Sequence, residues 1–238
     1  MHIVEEKVLA STQDYCMENH ATLPVPTAVI AEMQTRGKGR EGTNWVSSNG
    51  SLTFSILINV ENHFENVSII VSNIIKNILQ KEYQIDSIRV KWPNDIFLVQ
   101  GQDEYKVGGV LVNYLESVSQ KQASATAVIG VGINLQQCPQ KSIQYKTIYE
   151  MIERPISKKE LFLKLVHEIE RVFSSKETYT GYCSWSDYFP YNYVIYKNTS
   201  CNILRIEDAL YIEYDSKPTK LSANEYSYSR KTNTIERK

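Results

Sequence analysis

Near residue 180 the hydrophobic periodicity of this 238-residue chain changes, and that change limits the folds open to it. Upstream, stretches with helical spacing alternate with runs of strand spacing; downstream only short strand-like runs occur. Over residues 67–83, Val67, Ile70, Ile74, Ile78 and Leu79 recur at helical intervals, which predicts one apolar stripe laid on a sheet. The segment SKKELFLKLVHEIERVF repeats this with Leu161, Leu165, Ile169 and Val172, and Ser157 with Glu160 three residues on reads as a capping box. Ser11 and Thr12 stand where an N-cap would open a short helix to about His20. Residues 28–34, 52–60, 88–92, 95–99, 106–115 and 125–135 read as strands. The expectation is an α/β chain of the α+β type. A mixed β-sheet flanked by helices would fill residues 1–179, followed by a small β unit over residues 180–238, built from YNYVIY, CNILRI, ALYIEY and NEYSYSR.

A composition of 42% hydrophobic and 22% charged residues is that of a globular chain able to bury a core without disulfide staples. The formal net charge of -1 argues against a protein whose main task is gripping phosphate backbones. Cys16, Cys138, Cys183 and Cys201 lack CxxC spacing, so they read as buried reduced thiols rather than a zinc site or disulfide framework. The N-terminus carries no charged-then-apolar leader, and no segment reaches the roughly 18 apolar residues that a membrane span requires. A soluble, cytoplasmic protein is expected.

The polar chemistry gathers in four stretches of the first region. TRGKGREGTNW, residues 35–45, places Gly37, Gly39 and Gly42 among Lys38 and Arg40, so backbone N–H groups and cations share one short arc suited to an anion. It lacks the spacing of a Walker motif. In RVKWPND, residues 89–95, Pro93 ends a strand because it has no N–H, and Asn94 and Asp95 are pinned in the turn behind it. Asp95 could hold a hydrated Mg2+ beside Asn94, with Lys91 meeting phosphate oxygens; an ordinary Asn-Asp turn is the plainer alternative. In KVGGVLVN, residues 106–113, Gly108 and Gly109 interrupt a strand behind Lys106, and in VIGVGINL, residues 128–135, Gly130 and Gly132 do the same before Asn134. Glycine inside a strand marks a bulge or close approach by a ligand or another backbone.

Ser11-Thr12-Gln13, AEMQTRGKGREGTNW, KWPND, KVGGVLVN and GVGINL, in this order, resemble the biotin–protein ligases of the monofunctional type, which lacks an N-terminal DNA-binding domain. The resemblance covers nearly the whole chain. It implies a class II synthetase-like catalytic domain and a C-terminal SH3-like β-barrel. It also implies ATP, Mg2+ and biotin as ligands, biotinyl-5′-AMP as the activated product, and a lysine of a biotin carrier domain, on a biotin-dependent carboxylase, as acceptor. By the same resemblance Ser11, Thr12 and Gln34 match the positions that receive biotin's ureido head, and Gln13, in one motif with the first two, is counted among the binding residues. Gly37, Lys38, Gly39 and Arg40 match the loop that closes over the adenylate, and Trp45 matches the aromatic over the adenine. Lys106, in one motif with Gly108, matches the lysine beside the biotin carboxylate; Lys91, Asn94, Asp95 and Asn134 match the positions that serve the triphosphate and its metal. Lys106 and Arg40 are the residues expected to carry catalysis, and Asp95 the one expected to hold the metal.

Two positions depart from the family's usual loop: Lys38 stands where an arginine is common and loses the bidentate fork, and Thr43 replaces a further cation. A lipoate or octanoyl transferase of the same architecture is the competing enzyme, against which KWPND followed by KVGG argues. A non-catalytic biotin sensor is the competing binding protein. A DNA-binding repressor would need a helix-turn-helix ahead of position 11, where there is no room for one. No DNA or membrane partner is expected, and a homodimer paired through a sheet edge stays open.

Overall fold

The structure, a computed structural model, describes residues 1–61, 67–115, 124–136, 146–175, 188–206, 209–222 and 225–238. In chain order the elements begin β1 (His2–Leu9), α1 (Thr12–Asn19), β2 (Thr27–Gln34), the short β3 (Gly37–Lys38) and β4 (Asn44–Trp45), and β5 (Ser51–Glu61). There follow α2 (Val67–Tyr83), β6 (Ile88–Lys91), β7 (Asp95–Gln100), β8 (Asp103–Tyr114), β9 (Ser124–Asn134), α3 (Ile148–Ile152) and α4 (Lys158–Ser174). The last region holds β10 (Tyr193–Tyr196), β11 (Thr199–Ile206), β12 (Leu210–Tyr214), β13 (Lys217–Leu221), β14 (Tyr226–Ser229) and β15 (Thr234–Arg237).

Seven strands form the main sheet in the order β1-β2-β5-β9-β8-β7-β6. The β1–β2 pair is parallel and the other pairs are antiparallel, which makes the sheet mixed, as expected. Side chains alternate across it because the strand period is two. Leu52, Phe54, Ile56 and Ile58 of β5 and Ile129, Val131 and Ile133 of β9 point into the core shared with α2 and α4. Leu57 and Val128 point the other way and join Val29 and Cys16 in a second cluster beneath α1. The helical stripe over residues 67–83 coincides with α2, and Phe162 of α4 meets Phe54 edge-on at 5.2 Å.

The C-terminal strands pair in the order β13-β12-β11-β10-β15-β14 and curl into a half-barrel. Tyr188 and Phe189, just before it, are buried in the same core as α2 and α4. The Tyr188 hydroxyl donates to Ile69 O at 3.1 Å, and Asn73 Nδ2 donates to that hydroxyl. Arg230 pairs with Glu104 of β8 and donates to Tyr188 O at 3.2 Å. The expected boundary at residue 180 lies outside the described residues, as do Cys138, Cys183 and His63.

Several local expectations need correction. Ser157 Oγ does accept from Glu160 N at 3.3 Å, but the Glu160 carboxylate pairs with Lys164 at 3.1 Å; the reciprocal capping box is at Thr147 and Glu150, opening α3. The sequence reading did not mark α3, β1, β13 or β15 as elements. β1 carries Glu5, Glu6 and Lys7 in its middle, a charged pattern suited to a strand at a sheet edge.

Candidate active site

A cavity of about 370 Å3 opens on the α1 side of the main sheet, where β5, β9 and β8 supply the floor, the N-terminus of α1 one wall and residues 38–46 the roof. The floor follows from the period of two: Gly130, Gly132 and Asn134 alternate with Ile129, Val131 and Ile133, and Ser55 alternates with Phe54 and Ile56. The glycines are required by the protein's own side chains. A Cβ at Gly130 would lie 2.5 Å from Gln13 Oε1, and one at Gly132 would lie 2.5 Å from the Trp45 indole, so both side chains fold flat onto the floor. A Cβ at Gly108 would lie 2.8 Å from Gly132 O, so that glycine serves close strand packing and does not line the cavity. Among the described residues no acceptor meets Trp45 Nε1, which leaves a buried donor at the roof.

The roof is a small hairpin. Gly37 faces Trp45 and Lys38 faces Asn44; Gly39 N–H donates to Thr43 O at 2.7 Å, and Gly42 turns the chain at φ +75°. Gly37 lies against the Trp45 carbonyl without lining the cavity. Lys38 Nζ meets Asp14 of α1 at 2.7 Å, and Arg40 Nη1 donates to Asn94 Oδ1 at 2.7 Å. The roof is thereby tied to both α1 and the WPND turn.

That turn sits between β6 and β7, with Trp92 buried and Lys91 opposite Asp95 in the ladder. Asn94 is stitched to β8 by its Nδ2 donating to Val110 O at 2.7 Å and its carbonyl accepting from Val110 N at 2.9 Å. Both ends of its amide are therefore taken, one by β8 and one by Arg40. Asp95 Oδ1 meets Lys106 Nζ at 2.7 Å, each side chain about a quarter exposed. Lys106 reaches this place through a β-bulge. Ile96 pairs with Gly108 but Phe97 pairs with Lys106, so Val107 is the extra residue. Regular alternation through Val107, with no bulge, would place Lys106 on the face of Val110 and Val112, which pack on the core; the bulge places it on the face of Gly109 and Leu111.

At the other end of the cavity the polar groups are neutral and buried. Thr12 N–H donates to Gln34 Oε1 at 2.7 Å, Thr12 Oγ1 lies 3.0 Å from the same oxygen, and Thr12 and Ser55 hydroxyls meet at 2.9 Å. Ser55 Oγ donates to Gln13 Oε1 at 2.9 Å, and Gln13 Nε2 donates to Val128 O at 2.9 Å and Asn113 Oδ1 at 3.0 Å. Ser11 caps α1 by accepting from Asp14 N at 3.3 Å, and its own hydroxyl proton is available to the cavity it lines.

Of the residues singled out in the sequence, Ser11, Thr12, Gln13, Gln34, Lys38, Gly39, Arg40, Trp45, Asn94, Asp95, Lys106 and Asn134 thus line one cavity. Lys91 does not: it lies on the Asp95 face of the sheet, one strand further out, with Nζ 5.7 Å from the centre of the Phe97 ring. Sequence reasoning missed Ser55, Leu111, Ser227 and Lys238 of the lining, and Asn113, which lies outside it and holds Gln13. Ser55, Leu111 and Asn113 share their sheet face with the glycines, a signal present in the alternation of LTFSILINV and KVGGVLVN. Ser227 and Lys238 come from the half-barrel, and no local pattern announces their approach.

Fold and cavity define the class: an α/β protein with a polar cavity on its sheet face, neutral groups at one end and cations beside the Asp95 carboxylate at the other. The chain belongs to the biotin/lipoate A/B protein ligase family, whose profile matches residues 6–134. Over 132 residues it is 35% identical to the bifunctional ligase/repressor BirA of Escherichia coli, a match covering 54% of this chain and 39% of that protein. A match to biotin–protein ligase 2 of Arabidopsis thaliana is 27% identical and covers 38% of it, so the chain spans about two fifths of these relatives' length. Among solved structures, the biotin protein ligase from Aquifex aeolicus in complex with biotin and ATP superposes with a TM-score of 0.74 at 21% identity, covering 100% of this chain and 99% of that one.

Proposed function

We propose that this protein couples biotin to ATP, forming biotinyl-5′-AMP, and passes the biotinyl group to one lysine of the biotin carrier domain of a carboxylase. The observation that carries this reading is the polarity of the cavity. Neutral hydrogen-bonding groups around Thr12 and Gln34 suit an uncharged ureido head, and Lys38, Arg40 and Lys106 suit a carboxylate meeting a phosphate. The names of the relatives point the same way.

In this reading the biotin carboxylate oxygen bonds to the α-phosphorus while pyrophosphate leaves. The carrier lysine amine then bonds to the acyl carbon, and AMP departs with its electron pair. Lys106 Nζ, held by Asp95, stabilises charge on the carboxylate and α-phosphate, and Arg40, held by Asn94, holds the phosphate from the roof. The Trp45 indole N–H is a donor available to a base beneath the roof. Asp95 keeps a carboxylate oxygen beyond its Lys106 bond, and one carboxylate together with phosphate oxygens and water suits Mg2+, which would offset charge on the leaving pyrophosphate. Lys91 stands further along the same face for the outer phosphates. The catalytic unit is residues 1–179, and the unit over residues 180–238 completes the cavity with Ser227 and Lys238. The scattered thiols suit the cytoplasm.

Incubation with ATP, Mg2+ and labelled biotin is expected to yield biotinyl-AMP and pyrophosphate, and labelled carrier domain once that domain is added. Pyrophosphate release with lipoate but not with biotin overturns the assignment in favour of a lipoate enzyme. Biotin binding without pyrophosphate release overturns it in favour of a sensor.

A further inference from the structure

We propose that Ser55 and Gln13 are positioning residues that determine specificity, because they set the hydrogen-bonding polarity of Thr12 and Gln34; this rests on the biotin reading above. The argument is a proton count. Gln13 Oε1, Ser55 Oγ, Thr12 Oγ1 and Gln34 Oε1 form a row with separations of 2.9, 2.9 and 3.0 Å. Three contacts lie between four oxygens, and only two hydroxyl protons are available to fill them. The amides at the two ends cannot turn round to supply another. Gln13 Nε2 is committed to Val128 O and Asn113 Oδ1, and Gln34 must present oxygen to the Thr12 N–H at 2.7 Å.

Burial decides where the two protons go. Ser55, Thr12 and Gln13 are each less than 5% exposed, so an oxygen left without a donor there loses its hydration with nothing in return. Gln13 Oε1 has no donor besides Ser55 among the described hydrogen bonds, whereas Gln34 Oε1 already has the Thr12 N–H. The Ser55 proton therefore goes to Gln13, and the Thr12 proton goes to Ser55. The contact left without a proton is the one between Thr12 Oγ1 and Gln34 Oε1. Both oxygens then keep an open lone pair, and both residues line the cavity. The pocket presents paired acceptors, and it selects a head that carries N–H donors, as a cyclic urea does, over a head with none, such as the dithiolane of lipoate. Ser55 and Gln13 themselves line the cavity, and in this chain they make the choice by way of Thr12 and Gln34.

Removing the Ser55 hydroxyl lets the Thr12 proton fall back on Gln34, which fills the open Gln34 Oε1 lone pair internally and takes that acceptor away from the ligand. The test is direct binding of biotin, lipoate and ATP by calorimetry to the full chain and its Ser55→Ala variant, alongside thermal melts. We expect at least a tenfold loss of biotin affinity, with lipoate and ATP affinities changed less than twofold. Because Ser55→Ala also strands Gln13 Oε1, a Ser55→Ala/Gln13→Met variant removes the stranded group; it is expected to recover melting temperature without recovering biotin affinity. Unchanged biotin binding by Ser55→Ala overturns the relay, as does a double variant that regains biotin affinity together with stability. A wild-type chain that binds no biotin at all removes the biotin reading itself, and the relay with it.

Discussion

Lys106 and Gly132 show how much a single position depends on its neighbours. Lys106 lies in a strand whose simple alternation would bury it against Val110 and Val112, and one inserted residue, Val107, turns it to face Asp95. Replacing it should remove the charge proposed to face the reacting carboxylate, while Asp95, a quarter exposed, regains water. Lys106→Ala is expected to slow biotinyl-AMP formation about 100-fold or more, in line with loss of one preorganised electrostatic partner, with little change in melting temperature. Near-normal turnover would strip Lys106 of its role. Gly132 is required by contact and not by backbone conformation: the Trp45 indole occupies the place of its missing side chain. Gly132→Ala should push the indole off the floor at a cost of about 1–3 kcal/mol, typical of overpacking. Denaturant melts and the tryptophan emission spectrum would both report it, and a wild-type emission maximum would contradict the packing described.

At the level of elements, α1 does two jobs that its eight residues do not advertise. Its first turn supplies Thr12 and Gln13 to the cavity, and its inner face buries Cys16 against Val29, Leu57 and Val128. Burial pushes the Cys16 thiol up from 9.0 to about 12. Between these values the unfolded chain loses a proton that the folded chain keeps, so stability falls as pH rises from 9.0 toward about 12, and the thiol adds no slope below that window. Cys16→Ala should flatten this part of the stability curve in urea melts; an unchanged alkaline slope would mean that the thiol is hydrated in the folded protein. At neutral pH the native protein should also resist alkylation at Cys16, because the reactive form is the thiolate. Peptide mass spectrometry after iodoacetamide treatment, with and without urea, checks that directly.

Across the whole molecule, the half-barrel shares an apolar core with the main sheet and its helices, and a few polar bonds fasten the two together. Tyr188 is fully buried, and its hydroxyl ties α2 to the chain entering the half-barrel. Arg230 and Glu104 tie β8 to the segment behind β14, and that attachment brings Ser227 to the cavity. Tyr188→Phe keeps the ring and deletes the bond, leaving Ile69 O without that donor in an apolar surround. A loss of about 1–3 kcal/mol is expected, the usual cost of breaking a buried hydrogen bond from one side. If the two regions unfold separately, calorimetry of the variant should reveal it as a split transition. A variant as stable as the wild type would remove Tyr188 from this role.

The sequence by itself determined the elements whose periods are long and clean. The stripe of α2, the alternating strands β5 and β9, and the turn at Pro93 are local consequences of side-chain spacing and of proline's missing N–H, so they could be read in advance. It also determined which residue types gather: Gly with Lys and Arg in the roof, Asn with Asp behind a strand. What only the tertiary structure decided is direction and company. A bulge arises from pairing between strands, so the side Lys106 faces was not written in β8 alone. The glycines of β9 look the same in sequence whether a ligand or a protein side chain fills the space above them. Lys91 shares a motif with Asp95 yet stands one strand away from the cavity, while Ser55, Ser227 and Lys238 reach it from distant parts of the chain. Period and turn chemistry act over a few residues, whereas the cavity is set by how seven strands and a half-barrel pack together.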